Sequence, residues 1–431
     1  MDTPRLRKLL ILPTVALCAG GIFVAACSSN DSATTTPAAT SQATAAASPS
    51  APAPSAAASG TTTAASMGVD SPAATLRATL TSLLQEHVYL TSLATGAALR
   101  GDTAGFNAAA AALDTDTTDL SNAVGSVYGQ DAQAAFSKLW KAHIGFFVDY
   151  TTGKATNDQA KVDKANSDLQ GYVTGIATLL SGANPNLTQA AVAGIFTAHV
   201  QDLEAMIDAQ AAKSPDQYSL TQKAADHMPM AADALAGAIA KQYPDKFPGK
   251  VDGPASTLRS GLTTLLVEHV YLTSMATGAA LRGDTTGFNE AAAVLETDTQ
   301  GLGNAIGSVY GDAAKTKFLD MWHAHIGFFV DYTSGKATMD QAKVTRANSD
   351  LQGYITGIAT FLSGANPNLP KDAVASIFTM HVQSLEAMIN SQAAKSPDQY
   401  SLTRAAAAHM PMAADALAGG IAKQFPDKFG S

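Results

Sequence analysis

Glu86-His87-Val88-Tyr89-Leu90-Thr91-Ser92 returns unchanged as Glu268-His269-Val270-Tyr271-Leu272-Thr273-Ser274, 182 residues later. The same offset joins Trp140 to Trp322, His143 to His325, His199 to His381 and His227 to His409. Residues 71–243 and 255–431 are therefore one unit written twice, with 244–254 as the connector. Around the first copy of the quoted stretch, Leu76, Leu80, Leu83, His87, Leu90, Ala94 and Ala97 step alternately by four and three, which places them along one side of a helix. Ala, Leu and Thr dominate, and no apolar/polar alternation of strand type is sustained. The expected fold is all-α: two tandem up-and-down helical bundles of about six helices each.

Further along the first unit, Gly101 is expected to end the first helix and Asp102 to cap the second, which runs to about Val127. A third helix carries Phe136, Trp140, His143, Phe147 and Tyr150 on one face, with Gly153 as its stop. The fourth ends at Ser181-Gly182-Ala183-Asn184-Pro185, a break repeated at 363–367. Val192, Phe196, His199, Leu203 and Met206 mark the fifth. Ser214-Pro215 suits the start of the sixth, with Pro229 either kinking that helix beside His227 or marking its start.

The N-terminus has the form of an export signal. Arg5, Arg7 and Lys8 precede a mostly apolar run from Leu9 to Phe23, and Val24-Ala25-Ala26-Cys27 resembles a bacterial lipobox. Residues 1–26 are expected to be a lipoprotein signal peptide and Cys27 the acylated residue. Residues 27–70, rich in Ser, Thr, Ala and Pro, form the expected disordered tether. The expected location is extracytoplasmic, with the protein lipid-anchored to the cell membrane. Cys18 would leave with the signal, so the body has no thiol for disulfides or metal ligation. A formal charge of −9 with no basic run argues against nucleic acid as a partner and leaves membrane attachment to the lipid.

A shorter interval runs inside each unit. His87, His143 and His199 are 56 residues apart, as are His269, His325 and His381. Three hairpins thus each carry a histidine partway along their first helix. Hairpin geometry brings His227 to a similar height, because roughly 13 and 11 residues at 1.5 Å per residue put it and His199 about 16–20 Å from their shared turn. The metal-ligand candidates are therefore His87, His143, His199 and His227, with His269, His325, His381 and His409 in the second unit. Further candidate ligands are Asp114, Met228, Met230, Glu296, Met410 and Met412. Asp116, Asp298, Asp168 and Asp350 are other carboxylates expected near the histidine layer. Imidazoles and carboxylates on facing helices are how bundles build metal sites, and a thiol-free imidazole set with thioethers nearby suits copper or zinc. A closed bundle would let one ion reach the histidines, whereas an open stack of hairpins would hold His87 and His199 about 20 Å apart.

Histidines satisfied individually in a dry core, in bundles that present a surface to an envelope partner, are the competing reading. A haem-binding bundle is a weaker third. Glu86, one position off the helix seam, is expected to be solvated, or else to orient His87.

His143-Ile144-Gly145-Phe146-Phe147-Val148-Asp149-Tyr150, Ser181-Gly182-Ala183-Asn184-Pro185-Asn186-Leu187 and His227-Met228-Pro229-Met230 resemble secreted helical domains of Gram-positive bacteria sometimes labelled copper amine oxidase-like. The resemblance covers both units and implies copper. It does not imply amine oxidation, because the Asn-Tyr setting of the quinone-forming tyrosine is missing and the His-x-His motif is matched only by His323-Ala324-His325, where the first unit has Lys141. Nucleophile elbow, phosphate loop and His-Glu-x-x-His motifs are also missing, so catalysis is not the expected role.

Overall fold

The computed structural model describes residues 68–429, all of whose regular structure is helical. The signal segment, Cys27 and the tether up to residue 67 lie outside the described residues; Val69, expected in the tether, is buried, and its carbonyl accepts from Arg259 at 3.0 Å. Helices α1 (Pro72–Leu99) and α2 (Thr103–Tyr128) form one hairpin, and α3 (Gln130–Thr156) and α4 (Gln159–Ala183) the next. Helix α5 (Gln189–Ala212) then turns back into α6 (Gln217–Asp226) and α7 (Met228–Gln242). The second repeat follows the same path through α8 (Pro254–Leu281), α9 (Thr285–Tyr310), α10 (Asp312–Thr338), α11 (Gln341–Ala365), α12 (Lys371–Ala393), α13 (Gln399–Ala408) and α14 (Met410–Gln424), ending in the short α15 (Pro426–Phe429).

Local chemistry sets most boundaries. Gly101, at φ +74°, turns the chain after α1, and Asp102 accepts a hydrogen bond from the Gly105 amide at 2.8 Å to cap α2. Gly153 does not stop α3, which continues to Thr156 and ends on left-handed Asn157. Its lack of a side chain serves packing: a Cβ there would lie 2.7 Å from Val162 Cγ2 on α4. Ser214-Pro215 precedes α6 rather than capping it, and Asp216 occupies the cap position. The expected sixth helix is two pieces. Pro229 offers no N–H for a continuous ladder, and the helix breaks at His227, which ends α6 and precedes α7.

Helix α1 lies at the centre of its repeat and packs against α2, α5, α6 and α7, and also against α8 of the other repeat. Every residue from Leu84 to Ser92 is buried, so this part of the helix has no solvent face. Tyr89 and Tyr271 stack across the junction with ring centroids 5.0 Å apart and planes within 4°. Thr81 and Ser260 hydroxyls meet at 3.0 Å. Arg77 donates to Thr257 Oγ1 at 2.9 Å, and Arg259 reciprocates to Thr75 at 2.8 Å. The repeats are thus related by an approximate two-fold, with α1 and α8 as its paired core.

Glu86 is a correction. It is buried rather than solvated, because the side of α1 pointing away from its own bundle faces the second repeat. There it accepts from Arg404 on α13, which also pairs with Asp119. The related Glu268 meets Gln222, not an arginine. Asp119 has Gly301 as its counterpart, and Asp226 has Ala408. Burial, and then the nearby Asp116 charge, raise Glu86 to about 8. Burial, followed by the charges of Asp298 and Asp226, raises Glu268 to about 9.

Candidate metal centre

Helices α1, α3 and α5 run side by side and bring His87, His143 and His199 to one level in the core. The bundle is closed, not an open stack. Ring centroids are 5.3 Å apart for His87 and His143, 5.8 Å for His87 and His199, and 6.3 Å for His143 and His199. One nitrogen from each lies within 4.8 Å of the others. His269, His325 and His381 repeat the arrangement, with centroids at 5.4, 5.7 and 6.3 Å. Two histidine triads of a geometry that could bind metal are therefore built by the fold. The Nε2 atoms of His143 and His87 are 3.3 Å apart. Donors about 2.0–2.1 Å from a tetrahedral zinc would be separated by roughly 3.3–3.4 Å, so this pair is already at chelating distance.

All six imidazoles are buried, and they are poorly satisfied. His199, His269 and His381 have no hydrogen-bond partner at either ring nitrogen, Nδ1 of His87 has none, and His143 and His325 have at Nδ1 no more than a weak approach to the backbone of Trp140 and Trp322. An orphaned buried polar group costs about 1–3 kcal/mol, so isolated core histidines would be expected to find partners. Burial holds His87, His199, His269 and His381 down at about 3 and pushes His143 and His325 well below the ordinary imidazole value. At neutral pH all six are uncharged, the form that ligates metal.

Aromatic residues fix the rings. Trp140 packs on His87 at 4.8 Å and meets His143 edge-on at 4.7 Å, while Tyr172 stacks on His143 at 4.4 Å. Trp322 and Tyr354 do the same in the second repeat. Asp116 Oδ2 lies 3.7 Å from His87 Nδ1, and Asp298 lies 3.7 Å from His269. These separations exceed a hydrogen bond, but each carboxyl group stands on the Nδ1 side, where it would orient the ring once an ion occupied Nε2. Burial raises both aspartates well above the usual carboxylate range.

The structure sets several sequence-derived candidates apart from the triads. His227 sits at the α6–α7 break, its side chain 33% exposed, and pairs with Asp202. Its height was legible from the hairpin, but the helix break turns it to the rim. Ser384 replaces Asp202 in the second repeat, so half-buried His409 has no matching carboxylate. Asp114 is on the surface with Lys141 at 2.7 Å, and Glu296 is on the surface with His323 at 2.9 Å. His323 and Lys141 are thus equivalent surface partners, not ligands. Asp168 pairs with Lys164 one turn away, and Asp350 is exposed. Met230 and Met412 are exposed at 63% and 51%. Met228 and Met410 are buried, and Met410 lines a small cavity together with His381.

No family model, curated protein or solved structure matches this chain.

Proposed function

We propose that each repeat binds one transition-metal ion, copper or zinc, through its three core histidines, and that the protein captures or buffers metal at the cell envelope. The observation that carries this reading is the convergence of three neutral imidazoles with unpartnered nitrogens, built twice. A bound ion would supply the missing partner to one nitrogen of each ring. A haem has less support, because centroid separations of 5.3–6.3 Å leave no slot for a macrocycle between the rings. The lipobox-like Val24-Ala25-Ala26-Cys27 supports the envelope setting, with a lipid on Cys27 as the membrane partner.

The test is elemental analysis of the untagged chain after loading with copper or zinc and removal of excess ion. About two ions per chain are expected in the native protein, and none held firmly in His143→Ala/His325→Ala. A native protein that retains no metal, with melting unaltered by loading, would sink the proposal.

A further inference from the structure

The ring nitrogens of the second triad are buried, but a cleft borders two of its three histidines. A cavity of about 260 Å³ opens between α8, α9 and α10 and reaches inward to His269 and His325. Phe288, Leu295 and Phe329 line its walls, and exposed Val330 stands at its rim. Its lining contains no lysine, arginine, aspartate or glutamate. The lining recurs 182 residues earlier in the sequence with one change, Thr152 in place of Ser334.

Three protein ligands plus an accessible side is the pattern of a metal centre that takes an exogenous ligand, whereas structural sites are closed by a fourth residue. Three neutral imidazoles do not offset the two positive charges of a divalent ion in a dry core, and the cavity wall supplies no anion. Buried Asp298, 3.7 Å from His269, can offset at most one of those charges, which leaves at least one to arrive with what binds. An apolar passage ending at a cation selects a molecule with an anionic head and a hydrocarbon body.

We infer that the three-histidine centre of the second repeat takes a short aliphatic monocarboxylate, with the carboxylate on the metal and the alkyl chain in the cleft lined by Phe288, Leu295 and Phe329. This rests on the metal reading above and adds an open coordination position with a defined ligand class. It makes the centre a receptor for a metal–acid pair rather than a store for bare ions.

The test uses the full chain loaded with cobalt(II), whose visible absorption reports ligand exchange. Acetate, butyrate and hexanoate are titrated in turn at constant ionic strength. Apparent Kd should fall by about fourfold for each added methylene, the factor for burying one such group. In Ala98→Phe/Ala280→Phe, which fills the cleft and its counterpart, cobalt should still bind but hexanoate should bind no better than acetate. Equal affinity for the three acids in the native protein would overturn the inference while leaving the metal site intact, as would a chain-length dependence that survives in the filled variant. Failure to bind cobalt, zinc or copper would instead remove the metal reading and this inference with it. The chain-length series in the native protein is decisive on its own should the filled variant not fold.

Discussion

Replacing His199 and His381 by leucine should change the stability of this protein in opposite directions according to whether metal is present. Neither nitrogen of either ring has a hydrogen-bond partner in the dry core. Each orphaned group costs about 1–3 kcal/mol, and a leucine of similar size removes that cost at an overpacking penalty below about 1.5 kcal/mol. In excess chelator, His199→Leu/His381→Leu is therefore expected to be about 1–3 kcal/mol more stable than the native chain. With free zinc at a hundred times its Kd, each intact site adds about 2.7 kcal/mol to the native protein and nothing to the variant. Two sites give a swing of about 5 kcal/mol, enough to reverse the order. Urea unfolding followed by far-ultraviolet circular dichroism, once in EDTA and once in zinc, measures both differences. If the variant is less stable in both media and the native midpoint ignores zinc, the imidazoles are packing residues and the reasoning fails.

The pH profile of the metal-free protein should be a dome. Burial lowers His87, His199, His269 and His381 to about 3, so their contribution is complete above about pH 6.5 and is lost as pH falls toward 3. Glu86 and Glu268 are raised to about 8 and about 9, so theirs is complete below about pH 4.5 and is lost as pH rises through those values. With depressed histidines opposing raised carboxylates, stability should peak between about pH 4.5 and 8 and fall on the acid side as the histidines are driven to protonate, measurable by urea titration. Arg404→Ala takes a hydrogen-bond donor from buried Glu86 and should cost about 1–3 kcal/mol in the same assay at neutral pH, whereas a cost under about 1 kcal/mol would mean that the contact is replaced by solvent. Asp116→Ala removes the carboxylate beside His87 and should weaken zinc binding in the first repeat by about 10–100-fold in competition with a chromophoric chelator, leaving the second repeat unchanged.

The triads were legible because two periodicities agree. A four–three step puts His87 on the same helical side as Leu80 and Leu90, and the 56-residue interval returns an equivalent position on every second helix. Neither signal records what lies on the other sides of α1. From Ala78 to Leu99 the only charged residue is Glu86, and the matching part of α8 has only Glu268. A long helix with almost no charge has no solvated face, and that was the signal for a second interface. Reading Glu86 by its offset from a single seam missed it. The place of His227 escaped for another reason. Axial height follows from counting residues, but rotation about the axis depends on how the chain negotiates Pro229.

The charges at the junction determine which copies of the unit can pair. Two first repeats facing each other would place Gln222 against each Glu86 and gather Asp116, Asp119 and Asp226 on both sides with no arginine. Two second repeats would carry Arg404 on both sides, each opposite a Glu268, with neither Asp119 nor Asp226 present. Only the mixed arrangement balances one guanidinium on one side against an amide and an extra carboxylate on the other. Carrying both units on one polypeptide guarantees that mixture at every concentration. It also makes the two halves non-interchangeable: exchanging Gln222 and Arg404 would put the guanidinium beside Glu268 and Asp226 and leave Glu86 and Asp119 without one.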